Sequence, residues 1–97
     1  MRGTALKDIA SVLSRISDSR EMHDVLRGIL TEQEGKRIGL RWRILELLAR
    51  GESQRGIAQK LGVSLCNITR GSRELKRGPR RFRSVVERSA KKTTKGG

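Results

Sequence analysis

At 97 residues the chain has room for one domain, and 34% hydrophobic residues with one Trp, one Phe and no Tyr make a thin core for a monomer of that size. The formal charge is +13 and is unevenly spread: residues 1–52 carry 10 basic and 8 acidic residues, whereas residues 53–97 carry 13 basic and 2 acidic, a net +11. Clustered positive charge attracts a polyanion and releases its counterions, which points to nucleic-acid phosphates; a membrane-binding helix would need a bulky apolar face that the C-terminal half lacks.

A single cysteine, Cys66, excludes an internal disulfide framework, and with no signal peptide or apolar span in the sequence a cytoplasmic protein is expected. One His and one Cys cannot build a common zinc site without carboxylates or another chain. No nucleophile and base pair, metal cluster or phosphate loop is visible, so an enzyme is not expected, and neither is a cofactor.

In chain order, Leu6, Ile9, Ala10, Leu13 and Ile16 recur at three- and four-residue steps and predict an amphipathic helix from about Thr4 to Ile16, one face of which needs a partner. Ser17, Asp18 and Ser19 form a polar break that can cap a second helix carrying Met22, Val25, Leu26 and Ile29. His23 falls on its solvent side. The segment Thr31-Glu32-Gln33-Glu34 is a capping box, after which Ile38, Ile44, Leu45, Leu47 and Leu48 carry a long helix to Arg50, closed by Gly51. Gly35 and Gly39, one turn apart inside it, suggest close approach of another backbone, which a second subunit could supply. Trp42 is read as packing.

From Ser53 to Lys76 the spacing predicts two short helices and a tight turn. Ile57, Ala58 and Leu61 share a face, Gly62 stops the first helix, Val63 fills the corner, and the Ser64 hydroxyl can cap the second, whose apolar side is Leu65, Ile68 and Leu75. Ala58, Gly62 and Ile68 stand at the fifth, ninth and fifteenth positions from Gln54, the helix-turn-helix spacing of a unit that enters the DNA major groove, here over about 54–75. Gly78-Pro79 then breaks the chain, and Pro79 can open a last helix lined by Phe82, Val85, Val86 and Ala90. Residues 91–97 read as a disordered basic tail. The expected architecture is all-α, about six helices in a single domain over 1–90, with a partner subunit making good the thin core.

The eighteenth position of the helix-turn-helix, usually apolar, is Gly71, which predicts a hole in the middle of the second helix. Arg70 stands beside it. A guanidinium forks a carboxylate and lies flat on an aromatic ring, so the chemistry suits a small aromatic anion; close packing at Gly71 with Arg70 on phosphate is the plainer alternative. Cys66 is either a small, soft residue on the second helix or a redox switch on binding.

The run ITRGSRELK, Ile68 to Lys76, resembles the tryptophan repressor family. The resemblance extends back through SQR at Ser53–Arg55, LLARGE at Leu47–Glu52 and LTEQE at Leu30–Glu34, about half the chain. It implies an intertwined all-helical homodimer that binds L-tryptophan as corepressor between core and DNA-reading heads, and then fits a palindromic operator on double-stranded DNA. By position, Arg70 and Arg41 resemble the arginines on the two indole faces, with Arg70 also meeting the carboxylate. Thr31 resembles a residue that helps hold the ligand, and Gly71 the glycine that makes room for indole. Gln54 and Arg55 resemble residues at the start of the first helix of the DNA reader. Ser64 opens the recognition helix, Leu65, Cys66 and Thr69 fall where it meets base edges or bridging water, and Lys76 falls where a phosphate is met. Asn67 and Glu74 stand where the best-known members have Thr and Ser around the ligand. Glu74 could accept the ligand's ammonium or repel its carboxylate. The connection Gly51-Glu52-Ser53 is one residue shorter than in those members. Two other readings stay open: a helix-turn-helix regulator with a different ligand or none, and a nonspecific nucleic-acid-binding protein driven by charge.

Overall fold

The computed structural model describes residues 2–96, with side chains for 5–91. It contains six α-helices and, among the described residues, no strand: α1 Arg2–Leu13, α2 Ser19–Ile29, α3 Glu32–Ala49, α4 Gln54–Leu61, α5 Leu65–Arg77 and α6 Arg80–Gly96. Two compact units are present, Met1–Arg37 and Ile38–Gly97. No helix among the described residues is long and apolar enough to cross a membrane.

In the N-terminal unit, α1 ends three residues before the expected Ile16; the chain leaves the helix through turns in which the Arg15 and Ile16 amides donate to the Val12 and Leu13 carbonyls. Asp18 caps α2, its Oδ2 accepting from the Glu21 amide at 3.2 Å. The Thr31 capping box forms as the sequence predicts: the Glu34 amide donates to Thr31 Oγ1 at 3.1 Å and the Thr31 amide to Glu34 Oε1 at 2.8 Å. These two bonds, with Arg37 nearby, hold the Glu34 carboxyl below its ordinary range. None of the described side chains of this unit is buried, although Leu6, Ile9, Val12 and Ile29 lie along its helices.

The C-terminal unit holds the core. Ile44 and Leu47 from α3, Ile57 from α4 and Ile68 from α5 are buried together, with Leu48, Ala58, Leu61 and Val63 packed around them. The end of α3 is closed by Gly51 at φ 91°, which lets the Gly51 and Glu52 amides return to the Leu48 and Leu47 carbonyls. Ser53 then caps α4 through the Gly56 amide at 3.0 Å, and Glu52 Oε1 meets Lys60 Nζ at 3.1 Å. The short connection between α3 and α4 is thereby fastened at both ends. Gly62 ends α4 in the left-handed region, at φ 66°, where a β-carbon would be strained.

Three local expectations change. Ser64 sits at the start of α5 with extended backbone, but its hydroxyl makes no capping bond; the Asn67 amide turns to the Ser64 carbonyl instead. Pro79 lies one residue before α6 rather than inside its first turn. The hole expected beside Gly71 is filled: an added β-carbon would lie 3.3 Å from Ile44 Cγ2 and 3.4 Å from Leu48 Cδ1. α5 approaches α3 there as closely as a missing side chain allows. α6 packs through buried Val86 and Ala90, and Ser89 Oγ donates to the carboxylate of buried Glu46 on α3. The basic tail expected over 91–97 falls on the last turns of α6, and its side chains beyond Lys91, with Gly97, lie outside the described residues.

Candidate functional site

Two surfaces of the C-terminal unit gather the residues that the sequence singles out. The first is the outer edge of α4 and α5. Burying Ile57 and Ile68 turns the opposite faces of both helices outward, so Arg55, Ser64, Leu65, Cys66, Thr69 and Lys76 are all exposed. Leu65 is 45% exposed, an apolar side chain offered to solvent at the first turn of α5. Gln54 and Thr69, fifteen positions apart, meet across the turn: Thr69 Oγ1 donates to Gln54 Oε1 at 2.9 Å. That bond joins the first residue of α4 to the second turn of α5 and leaves the Gln54 amide two protons to donate elsewhere. Lys76 stands at the far end of α5, where its own carbonyl and that of Leu75 accept bonds from Arg83 at 3.0 and 2.9 Å.

The second surface is an open groove of about 610 Å³ between α3 and the α5–α6 junction. Its floor is apolar, with Ile38, Trp42, Leu45, Pro79 and Phe82, and its charged rim is Arg41, Arg73, Glu74 and Arg77. Of the expected ligand residues, the groove brings together Arg41 and Glu74. Arg70 is not among its walls but is tethered to it, its Nε lying 3.7 Å from Glu74 Oε2 one turn along α5. Gly71 lies buried on the α3 side. Its missing side chain lets Ile44 and Leu48 of α3 pack close against α5. Thr31 belongs to the N-terminal unit, where its hydroxyl oxygen already accepts from Glu34.

Sequence reasoning missed Arg73, Arg77 and Phe82 as rim and floor of this groove, and it read Trp42 only as packing. Arg73 and Arg77 are one helical turn apart and flank Glu74 on α5, a signal that helical spacing carried. Phe82 and Trp42 are forty residues apart and no local pattern could pair them. Among the described residues, no group of three or more His, Cys, Asp or Glu could hold a metal ion.

The described chain is all-α, its core built around two short helices joined by a tight left-handed turn, with the polar faces of both helices exposed, the arrangement of a helix-turn-helix. The comparison with known proteins is specific. The family described as Trp repressor protein matches residues 4–90. A Trp operon repressor homolog of Chlamydia trachomatis serovar L2 is 33% identical over 79 residues, covering 80% of this chain and 84% of its own. That of Vibrio vulnificus is 38% identical over 87 residues, covering 88% and 85%, and that of Vibrio campbellii is 46% identical over 66 residues, covering 66% of each. The chain therefore belongs to the Trp repressor family, a family of regulators.

Proposed function

We propose that the protein is a homodimeric, cytoplasmic transcriptional repressor that binds a palindromic double-stranded DNA operator when L-tryptophan is bound as corepressor. The observation that carries the DNA-reading part is the Gln54–Thr69 hydrogen bond beneath an exposed row of Ser64, Leu65 and Cys66. It ties the start of α4 to α5 while leaving that row available to base edges, and exposed Arg55 and Lys76 would meet phosphates. The name its relatives carry, Trp operon repressor homolog, supports the same class.

The ligand reading follows from the groove's chemistry. An aromatic amino acid brings a ring for the apolar floor, a carboxylate for Arg41 and an ammonium for Glu74, and Arg70, tethered to Glu74 from outside the walls, could swing to the carboxylate. Gly71 contributes by drawing α5 against α3, which sets how near the arginines of the two helices come. The Arg70–Glu74 pair is no barrier: Arg70 is exposed and Glu74 half-exposed, and such a pair is worth only about a few tenths of a kcal/mol. A bidentate ligand carboxylate displaces it.

The test is calorimetric titration with L-tryptophan beside affinity measurements on a palindrome that the protein selects from random duplex DNA. Heat of binding and a tighter operator complex are expected. Arg70→Ala should abolish the ligand effect, whereas Arg55→Ala should weaken DNA binding with and without tryptophan. No heat together with unchanged operator affinity would eliminate the corepressor. The Glu74 charge and the short Gly51-Glu52-Ser53 connection favour the second reading, an operator reader with another ligand or none, in which preference for the selected palindrome is independent of tryptophan. A nonspecific nucleic-acid-binding protein would hold unrelated duplexes equally at matched salt, whereas a repressor should prefer its operator by about a thousandfold or more.

A further inference from the structure

Helix α6 has two opposite faces. Val86 and Ala90 are buried, with Phe82 and Ser89 half-buried beside them. On the other side Arg80, Arg81, Arg88 and Lys91 are exposed. At 3.6 residues per turn these four cations fall within about 100° of arc, centred opposite Val86. Among the described residues, no carboxylate lies within ion-pair distance of any of them; the pairs formed are Arg43–Glu46, Lys60–Glu52 and Arg70–Glu74.

We propose that this face of α6 is a second phosphate-contacting surface, docking on duplex DNA that flanks the site read by α5. The inference rests on the DNA-binding reading above. An ordinary solvated helix face alternates charges at three- and four-residue steps, because unlike pairs stabilise the helix and like pairs destabilise it. Here the only carboxylate near the described stripe, exposed Glu87, stands at its edge and outside the arc, and Arg88 and Lys91 inside it are like-charged neighbours one turn apart, a cost that a polyanion reverses. The stripe is also fastened to the DNA reader. Arg83, on the α5 side of α6, donates from Nε to the Leu75 carbonyl and from Nη2 to the Lys76 carbonyl, so α6 and the phosphate-facing end of α5 form one joint.

The dimensions fit a duplex. Arg80 and Lys91 are separated by about 16 Å at 1.5 Å per helical residue, the axial length of about five base pairs. A lipid surface is the weaker match, because an interfacial helix must expose a bulky apolar face beside its cations, and the apolar face of α6 is turned to the core.

The experiment compares the full-length protein with the variant R80Q, R81Q, R88Q, K91Q, on the palindrome selected by the wild type and on a shuffled duplex, between about 50 and 200 mM salt. Neutralising one cation that meets a phosphate reduces the slope of log affinity against log salt by about 0.9, so the variant's slope should be shallower by about 2 to 4. The operator-to-shuffled ratio should not change, since phosphate contacts carry no sequence information. Replacing Arg80, Arg81 and Arg88 by Lys should keep the wild-type slope, and circular dichroism should show equal helicity in all three proteins. Trimming the flanks of the duplex should weaken the wild type and leave the glutamine variant unaffected. An unchanged slope in the glutamine variant overturns the proposal. So does a variant that keeps its DNA slope but no longer sediments with vesicles of anionic phospholipid, which would assign the face to membranes. If the wild type shows no operator preference, the repressor reading fails by itself, and the slope comparison still decides the role of α6.

Discussion

Gly71 shows how one absent side chain can be read two ways. Against the helix-turn-helix pattern it is a missing core residue. In the structure it is the point where α5 touches α3, with Ile44 Cγ2, Leu48 Cδ1 and Leu45 Cδ2 at 3.3, 3.4 and 3.7 Å from where a β-carbon would stand. Contacts that tight leave no volume for further methyl groups, and overpacking a closed core costs about 1–3 kcal/mol. Gly71→Val should therefore lower stability by about that amount in urea unfolding; an unchanged or raised midpoint would mean that the space is empty after all. Glu34 gives the residue-scale prediction for pH. Its carboxylate accepts the Thr31 amide and its own amide is bound by the Thr31 hydroxyl, so its folded value lies below the ordinary one. A depressed carboxyl contributes stability that is complete above the unfolded value and is lost as pH falls through the folded value. The helix start at Thr31 should accordingly loosen only in acid. A carboxyl-detected NMR titration should find Glu34 below the ordinary glutamate value, and Thr31→Ala, which keeps the backbone amide and removes only the hydroxyl, should raise it part of the way. A wild-type Glu34 that titrates at the ordinary value would refute the assigned cause.

At the scale of elements, the joint between α5 and α6 depends on one side chain. Arg83 takes two carbonyls of the last turn of α5, which a helix end otherwise leaves to water. Both bonds are charge-assisted but exposed, so Arg83→Ala should cost about 1 kcal/mol and raise hydrogen exchange in the last turn of α5 and at the Gly78 amide. Exchange that rises evenly over the chain instead would mean that Arg83 acts only through global stability. The α4–α5 unit is legible in the sequence because all its determinants lie in one short window: Ile57 and Ile68 on the inner faces, Gly62 for the left-handed turn, Ser53 for the cap. The Thr31–Glu34 box is legible for the same reason. Ser64 departs from expectation because the preference for Ser at a helix start does not say whether the hydroxyl or the backbone carbonyl answers the free amides. The candidate groove is half legible. Arg41 and Glu74 follow from the family resemblance, but its floor joins Trp42 to Phe82, and that pairing depends on how α3 meets the α5–α6 junction.

For the whole molecule the deciding fact is where burial is missing. Among the described residues the buried hydrophobic ones all lie from Ile44 onward, whereas in residues 5–37 no side chain is buried and Leu6, Val12 and Ile29 are 69%, 56% and 58% exposed. Gly35 and Gly39, whose spacing suggests close approach of another backbone, have nothing within 4 Å of an added β-carbon in this chain. Apolar helices with one uncovered face and glycines facing open space fit the proposed homodimer, in which a second copy would cover them. Covering a Leu or Ile side chain stabilises by about 1.5–3 kcal/mol, so several such residues from each copy outweigh the entropy of association. The single domain expected over 1–90 would then be completed between two copies. A chain of 10.9 kDa should sediment at about twice that mass, and its thermal midpoint should rise with protein concentration, as it must when folding and association are linked. Leu6→Glu combined with Ile29→Glu would place four charges in the shared interface, shift sedimentation toward one chain mass and abolish the concentration dependence, while the α4–α5 helices keep their own core of Ile57 and Ile68. A wild type that sediments as one chain, with a midpoint that ignores concentration, would show that residues 5–37 are stable with their apolar faces in water and would remove the homodimer from the proposed mechanism.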